Sequence, residues 1–271
     1  MRHVIFAVVV AAPLTALAQE LLVTSVVPET EARTRGTQWT IGLGAAAVPQ
    51  YQGAEDYRAV PLWNIRAQNL YHPDTYAQLF GPMFTSNLIA HSGFRLGPMA
   101  QFIPKRGNVD NDRVDDLENV DPSVMLGAVL GYDVKLGERR AIALEFLGRQ
   151  DVAIDNGFLG TAQATYRTPL GASWFTTIGV ETTYASSDYM QSYFGVNARN
   201  AEQSGLDEYD ADSGIKDVGA NLSLGYAFSE RWGVTGIGAY RRLVDDAEDS
   251  PITKDGDENQ WYGGFLVNYR F

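Results

Sequence analysis

Residues Val218 to Phe228 read VGANLSLGYAF, and their alternation decides the fold. Val218, Ala220, Leu222, Leu224, Tyr226 and Phe228 fall on one side of an extended chain. Gly219, Asn221, Ser223, Gly225 and Ala227 fall on the other. Successive strand side chains point to opposite faces, so this is a strand with one fully apolar face and one small, polar face. The same period of two recurs up and down the chain. Trp39, Ile41, Leu43, Ala45 and Ala47 alternate with Thr40, Gly42, Gly44 and Ala46. Val124, Leu126, Ala128, Leu130, Tyr132 and Val134 are interleaved with residues including Gly127, Gly131 and Asp133. Trp174, Ile178, Val180 and Tyr184 are interleaved with Ser173, Thr177, Gly179 and Glu181, and Trp261, Phe265, Val267, Tyr269 and Phe271 with Tyr262, Asn268 and Arg270.

Two architectures produce such alternation. A soluble sandwich turns the apolar face to a shared core; a transmembrane barrel turns it to lipid and its polar face to the lumen. Three features favour the barrel. Aromatic residues mark strand ends (Trp39, Tyr57, Trp174, Tyr184, Trp232, Tyr240 and Trp261), as interface girdles require. The second face is rich in Gly, Ser, Thr, Asn and Arg, which a dry sandwich core would leave unsatisfied. The chain also closes on Val267, Tyr269 and Phe271 along one face, the pattern of a bacterial outer-membrane barrel and the candidate signal read by the barrel-assembly machinery.

Connection lengths set the parity. Tight links fall near Asn69–His72, His91–Gly93, Gly137–Arg139, Pro169–Ala172 and Ser229–Arg231. Long polar ones fall at Pro49–Asp56, Lys105–Asp121, Asp151–Gly157, Ala185–Ser213 and Asp245–Glu258. Short turns belong on the periplasmic side and long loops outside, so both termini are periplasmic and the strand number is even. The ladder reads 38–48, 57–68, 73–80, 83–90, 93–104, 122–136, 140–150, 158–168, 173–184, 214–228, 232–243 and 259–271. The expectation is therefore an all-β, antiparallel up-and-down transmembrane barrel of twelve strands, or ten if the pair around Gly81-Pro82 is discounted.

The start of the chain supplies the compartment. Met1-Arg2-His3 is basic, Val4 to Ala12 is an apolar run too short to cross a bilayer, and Ala16-Leu17-Ala18 is a small-x-small cleavage site. Residues 1–18 read as a signal peptide, 19–37 as a periplasmic tail of linker composition, and 38–271 as the barrel. The sequence of 271 residues has no cysteine, so disulfides, thiolate metal sites and cysteine nucleophiles are excluded, and a lipoprotein anchor after Ala18 is not expected.

Thirty-three acids against 21 bases give a net charge of −12, which argues against nucleic acid as a partner. The excess is local. Segment 105–121 has six acids and three bases, 185–213 six acids and one base, and 245–258 seven acids and one base. The wall is thus close to neutral and the outer loops strongly anionic.

With these segments placed, the sequence resembles the MipA/OmpV family, named for the MltA-interacting protein of the cell envelope. The resemblance is carried by Gly42-Leu43-Gly44, Pro49-Gln50-Tyr51-Gln52-Gly53, Pro61-Leu62 and Leu96-Gly97-Pro98. It is carried most specifically by Tyr189-Met190-Gln191-Ser192-Tyr193-Phe194-Gly195-Val196 with Ser204-Gly205-Leu206, Tyr209 and Gly214. Asp249-Ser250-Pro251-Ile252, Gln260 and Tyr269-Arg270-Phe271 complete it. The resemblance implies an outer-membrane barrel and, through the named member, a scaffold joining a lytic transglycosylase to a penicillin-binding protein in murein synthesis. It implies no catalytic residues.

Segment 185–213 is too long for a hairpin link and, with Tyr189, Met190, Tyr193, Phe194, Val196 and Leu206, too apolar for a free loop. It is expected to fold over or into the barrel mouth, as a packed plug or as a ligand or partner site. Arg58, Arg66, Arg95, Arg167 and Arg241, with Asp133 and Glu181, are expected to point inward from opposed strands and either line a channel or cross-link a closed lumen. Enzyme chemistry finds little support. Beyond residue 18 the histidines are His72 and His91, both at tight turns, and no G-x-S-x-G elbow exists. No cofactor or fixed metal site is assigned. Asp255-Gly256-Asp257 and Asp110–Asp116 offer oxygens but not a calcium loop, leaving weak cation bridging to lipopolysaccharide phosphates. The expected surroundings are outer-membrane lipid and lipopolysaccharide. The function classes in play are a non-enzymatic envelope scaffold, a narrow solute channel and a surface adhesion or interaction protein.

Overall fold

The computed structural model describes residues 36–271 apart from Ser92 and Glu138. The expected signal peptide, 1–18, and all but the last two residues of the expected 19–37 tail lie outside the described residues. Twelve strands follow one another: β1 (Gln38–Pro49), β2 (Tyr57–Gln68), β3 (Tyr76–Phe80), β4 (Met83–Asn87), β5 (Phe94–Ile103), β6 (Ser123–Lys135), β7 (Ala141–Asp151), β8 (Phe158–Pro169), β9 (Trp174–Ala185), β10 (Gly214–Ala227), β11 (Trp232–Leu243) and β12 (Asn259–Arg270). Each pairs antiparallel with its neighbours in sequence. β12 returns to β1, from Thr40↔Arg270 to Ala47↔Gly263, and closes the barrel.

The count is twelve, not ten, but β3 and β4 are shorter than the expected 73–80 and 83–90. The reason is local. Thr75 folds back on His72, its N–H and hydroxyl both donating to the His72 carbonyl (3.0 and 2.8 Å), which delays β3. The Asn87 side-chain oxygen accepts from the Ile89 and Leu96 N–H groups (3.1 and 3.0 Å), which ends β4.

The period of two sorts the wall as the sequence requires. On β10, Val218, Leu222 and Leu224 face out, Leu222 being 52% exposed, while Asn221 and Ser223 are buried inside. Aromatic pairs lie at the periplasmic rim, Trp174 with Tyr226 at 4.7 Å and Trp232 with Tyr269 at 4.7 Å, and at the outer rim, Tyr240 with Trp261 at 4.6 Å. Strands of 10–14 residues are long enough to cross a bilayer at a barrel tilt, β3 and β4 excepted.

The lumen departs from the expected small, polar lining. Val48, Val60, Leu62, Phe80, Ile237 and Leu266 form one apolar cluster inside the wall, and Met83, Met99, Val129 and Leu147 form another. Polar residues take the remaining inward positions, so the interior is part packed core and part charged lining.

Candidate functional site

The site is built by the outer connections, which are not free loops. Within 185–213 two helices form, α2 (Ser187–Phe194) and α3 (Ala198–Ser204). Shorter turns stand in the neighbouring loops: α1 (Asp112–Asp115), α4 (Asp246–Asp249) and α5 (Pro251–Lys254). Sequence chemistry explains the helix limits. Asn197 and Asn111 cap α3 and α1 through their side-chain oxygens, and Ser250 with Pro251 starts α5. Gly205, at φ 69°, supplies the left-handed residue that ends α3. The α2 cap position differs: the Ser186 hydroxyl accepts from the Phe158 N–H at 2.8 Å and so ties the helix start to β8.

Tyr189, Met190, Tyr193 and Phe194 are buried on the underside of α2, together with Ile103 of β5, Met125 of β6, Leu159 of β8, Ala185 of β9 and Leu243 of β11. β5 and β11 are six places apart in a ring of twelve, on opposite sides of the barrel. One apolar cluster therefore spans the mouth. Burying a large apolar side chain contributes roughly 1.5–3 kcal/mol, so four on one short helix form a stable closure. Val196 and Leu206, the other two residues expected in the plug, sit one layer out with Tyr51, Val114, Leu117 and Ile252. The six residues thus occupy two layers of one lid.

Polar contacts join the loops. The Gln52 amide donates to the Tyr189 hydroxyl (2.9 Å), and Arg106 Nη1 donates to the Tyr193 carbonyl (2.8 Å). The Ser250 hydroxyl donates to the Phe194 carbonyl (2.6 Å). Arg113 pairs with Asp255 (2.6 Å) and also donates to the Gly205 carbonyl; Arg199 pairs with Glu118 (2.7 Å). Part of the acidic charge is therefore spent inside the lid. A cleft of about 590 Å³ between Arg113, Tyr209 and Lys254 opens outward, its acids being Asp207, Glu208, Asp249 and Asp255. Burial lowers the Arg106 pKa to about 10 and pushes the Tyr193 phenol up. Burial raises the Tyr209 pKa to about 12, with Asp246, Asp249 and Asp212 adding to it.

Below the lid lie the charged residues. Arg66, Arg95 and Arg241 are buried inside with Glu181, while Arg58, Asp133 and Arg167 are partly buried. Their arrangement corrects one expectation: the pairs do not cross the lumen from opposed strands but run along the wall. Arg95 meets Asp133 and Glu145, both at 3.1 Å, and Arg167 approaches Asp133 at 3.9 Å, all within β5–β8. Arg241 meets Glu181 at 2.7 Å within β9–β11. Arg66 donates to the Gln78 side chain (2.7 Å) and lies 4.0 Å from the Tyr76 ring centre. Arg58 donates to the Gln50 carbonyl (3.1 Å). Short range follows from geometry, because two long side chains reach over one strand but not across a twelve-stranded barrel.

Sequence reasoning missed five inward charges. Glu145, Arg149 and Asp151 lie on the alternation Ala143, Glu145, Leu147, Arg149, Asp151, so parity alone finds them. Lys216 and Asp217 are neighbours, yet both are buried and paired with each other. A register shift between Ile215 and Asp217 turns both inward, and a bulge of this kind leaves no mark in a period-two pattern.

A closed twelve-stranded barrel with a lipid-facing apolar belt and interface aromatics defines an outer-membrane β-barrel protein. Comparison with known proteins gives the family: residues 41–271 match the model of MltA-interacting protein MipA, and the chain belongs to that family. The chain is similar to outer membrane protein OmpV of Vibrio cholerae, 29% identical over 170 residues covering 54% of this chain and 64% of OmpV. It is similar to outer membrane protein Omp26La of Vibrio anguillarum, 38% identical over 90 residues covering 32% of this chain and 33% of that protein. The matches thus span less than two thirds of either relative. Among solved structures it is similar to the COG4313 outer membrane channel of Pseudomonas putida F1, with TM-score 0.50 and 13% identity over 91% of this chain and 100% of that one, a likeness of fold. The protein is located in the outer membrane.

Proposed function

We propose that this barrel works through its surfaces, as a closed, non-enzymatic scaffold of the envelope that joins the outer membrane to murein-synthesising enzymes. The observation that carries the reading is the apolar cluster that runs from β5 through α2 to β11 across the mouth. The family name supports a lytic transglycosylase as partner; a penicillin-binding protein is the second partner that the family resemblance implies. Contacts with such enzymes fall on the periplasmic turns and the 19–37 tail. His72 and His91 lie in those turns, away from the outer leaflet, and carry no hydrolase chemistry in this reading.

Planar-bilayer recording of the purified protein tests closure: the expected trace is silent, and large stable open steps overturn it. Co-purification with the lytic transglycosylase from detergent extracts tests the scaffold. Loss of the complex on replacing the 69–75 and 88–93 turns supports it, and absence of any complex with the intact protein ends it.

One observation favours a second reading, a gated channel. Arg149 is buried at 3% exposure, and its hydrogen-bond partner among the described residues is the Thr161 hydroxyl (3.1 Å), with no carboxylate at ion-pair distance. Arg149, Lys216 and Arg241 against Glu181 and Asp217 leave the space below the lid positive. A channel released from its lid is then anion-selective, which reversal potentials across a salt gradient measure.

A further inference from the structure

The barrel wall is incomplete in its outer half. The β3–β4 tip, Gly81-Pro82, meets β2 where the Gly81 N–H donates to the Trp63 carbonyl (2.8 Å). It meets β5 where the Phe102 N–H donates to the Pro82 carbonyl (3.1 Å). β2 runs on outward from Trp63 to Tyr57, paired with β1 on one side. On the other side its pairing with β3 begins at Asn64. Above the tip, the chain leaving β5 crosses to the end of β1, where Asp110 and Gln50 exchange two hydrogen bonds (2.5 and 2.8 Å). A notch therefore lies between β2 and β5, bounded below by the hairpin and above by this crossing.

Both flanking strands carry a proline turned to the hairpin. In an antiparallel ladder the N–H and C=O of one residue point to the same neighbour, and every second residue faces the same side. Trp63 faces the hairpin, so Pro61 and Ala59 do too. Phe102 faces it, so Pro98 does too. Neither proline has an N–H to leave unpaired. The Ala59 N–H does, and no partner for it exists among the described residues.

The depth of the notch identifies its surroundings. Tyr57 stands in the outer aromatic girdle, its hydroxyl accepting from the Trp261 N–H (3.2 Å). Ala59 and Pro61 lie roughly 7 and 14 Å further down the strand at about 3.4 Å per residue, in the outer leaflet. An open edge is not stable against hydrocarbon alone. Pro61 blocks addition of a strand, which disfavours a second copy of the chain. The inner wall beside the notch is apolar (Val60, Leu62, Phe80 and Met83). At its outer end Arg58, on the same strand face as Val60 and Leu62 and half-buried, holds a buried Nε without a partner; Asp110 acts on it from beyond ion-pair distance.

We propose that the notch is a lateral binding site for one outer-leaflet lipid with an anionic headgroup. Its acyl chain lies along the β2 edge above Gly81-Pro82, its ester carbonyl accepts from the Ala59 N–H, and Arg58 reaches its phosphate. The inference is independent of the scaffold reading.

Native mass spectrometry of the full-length protein in a neutral detergent tests it, with dilauroyl phosphatidylglycerol as probe and dilauroyl phosphatidylcholine as the uncharged-headgroup control. The wild type is expected to retain one phosphatidylglycerol in preference to phosphatidylcholine. Ala59→Trp, which crowds the notch, lowers retention at least tenfold, whereas Ala220→Trp on the complete wall does not. Arg58→Gln removes the headgroup preference and leaves residual binding. Lengthening β3 and β4 by two residues each, so that the hairpin covers the edge, abolishes retention. Heat-modifiable gel mobility shows which variants are folded. Equal retention by wild type, Ala59→Trp and the lengthened hairpin overturns the proposal, as does a dimer mass in place of bound lipid.

Discussion

Arg241 reaches Glu181 over the bare backbone of Gly219. The three residues are in register on β11, β10 and β9, and the guanidinium meets the carboxylate at 2.7 Å. A Cβ on Gly219 would stand 2.9 Å from Cγ of Arg241 and 3.2 Å from Oε1 of Glu181. The device occurs twice. Arg95 on β5 and Glu145 on β7 flank Gly131 on β6, where a Cβ would stand 3.0 Å from Arg95 Nε. In both places an arginine and a glutamate bridge three strands because the middle one carries no side chain.

Breaking such a pair one-sidedly strands a buried charge. Glu181→Gln is expected to destabilise the barrel by about 3 kcal/mol. Gly219→Val is expected to cost a similar amount, because its side chain occupies the space in which the pair meets. The double change Glu181→Leu with Arg241→Met removes both charges and is expected to stay within about 1 kcal/mol of the wild type, subject to packing. Urea midpoints for unfolding from lipid vesicles at neutral pH measure all three. Equal destabilisation by the single and double variants would show that the pair is not what the site depends on.

Arg106 pins the lid. Its Nη1 donates to the Tyr193 carbonyl near the end of α2, so Arg106→Ala leaves that carbonyl buried without its donor, at a cost of about 1–3 kcal/mol. The strands stay paired and the lid opens more often. The expected outcomes are protease cleavage within 186–213 at a dose the wild type survives, and brief current steps in planar bilayers. Cleavage without current would place a second barrier in the lumen below Tyr189.

Most of the barrel was legible because its signal is repetitive. Val218–Phe228 alone shows a half-apolar strand, and eleven neighbours with tight and long links alternating show an up-and-down ring. The six apolar residues of 185–213 were legible as a buried group, since no free loop tolerates Tyr189, Met190, Tyr193 and Phe194 so close together. Their two-layer arrangement was not, because Val196 and Leu206 find their partners, Tyr51 and Val114, in loops distant in sequence. The ion pairs were half legible: parity shows which residues point inward but not which meet, and the glycine between Arg95 and Glu145 becomes meaningful only once register is known. The Lys216–Asp217 bulge and the shortened β3–β4 hairpin depend on local hydrogen bonds and leave almost no pattern.

Alkali should open the lid before it melts the barrel. The Tyr51, Tyr193 and Tyr209 phenols are all pushed above the usual value near 10, Tyr209 to about 12. A group whose pKa is raised by folding contributes stability that is complete below its unfolded pKa and is lost as pH rises through the folded one. These three contributions are therefore intact below about pH 10 and are lost above it. Arg106 acts in the opposite sense, since its lowered value of about 10 relieves a penalty over the same range. Three losses exceed one gain. Absorbance at about 295 nm is expected to show a late-titrating set of tyrosines whose ionisation coincides with protease access to 186–213. Ionisation of every tyrosine near pH 10, with the lid still resistant, would contradict the burial of these phenols.

Phe271 separates assembly from stability. Its N–H donates to the Trp39 carbonyl (3.0 Å) at the seam where β12 meets β1, and its ring lies edge-on to Tyr269 with centres 4.8 Å apart. The side chain is 68% exposed on the lipid face, so its removal takes away little buried area in the finished barrel. The seam bond belongs to the backbone and survives truncation of the ring. Phe271→Ala is therefore expected to change the urea midpoint of refolded protein by less than about 1 kcal/mol. In cells the same change is expected to lower the amount of barrel in the outer membrane severalfold, on the proposal that Val267, Tyr269 and Phe271 form the strand face read during assembly. Quantifying heat-modifiable protein from membranes beside the same variant refolded in detergent distinguishes the two effects. A matching loss in both would make Phe271 a structural residue of the seam rather than an assembly signal.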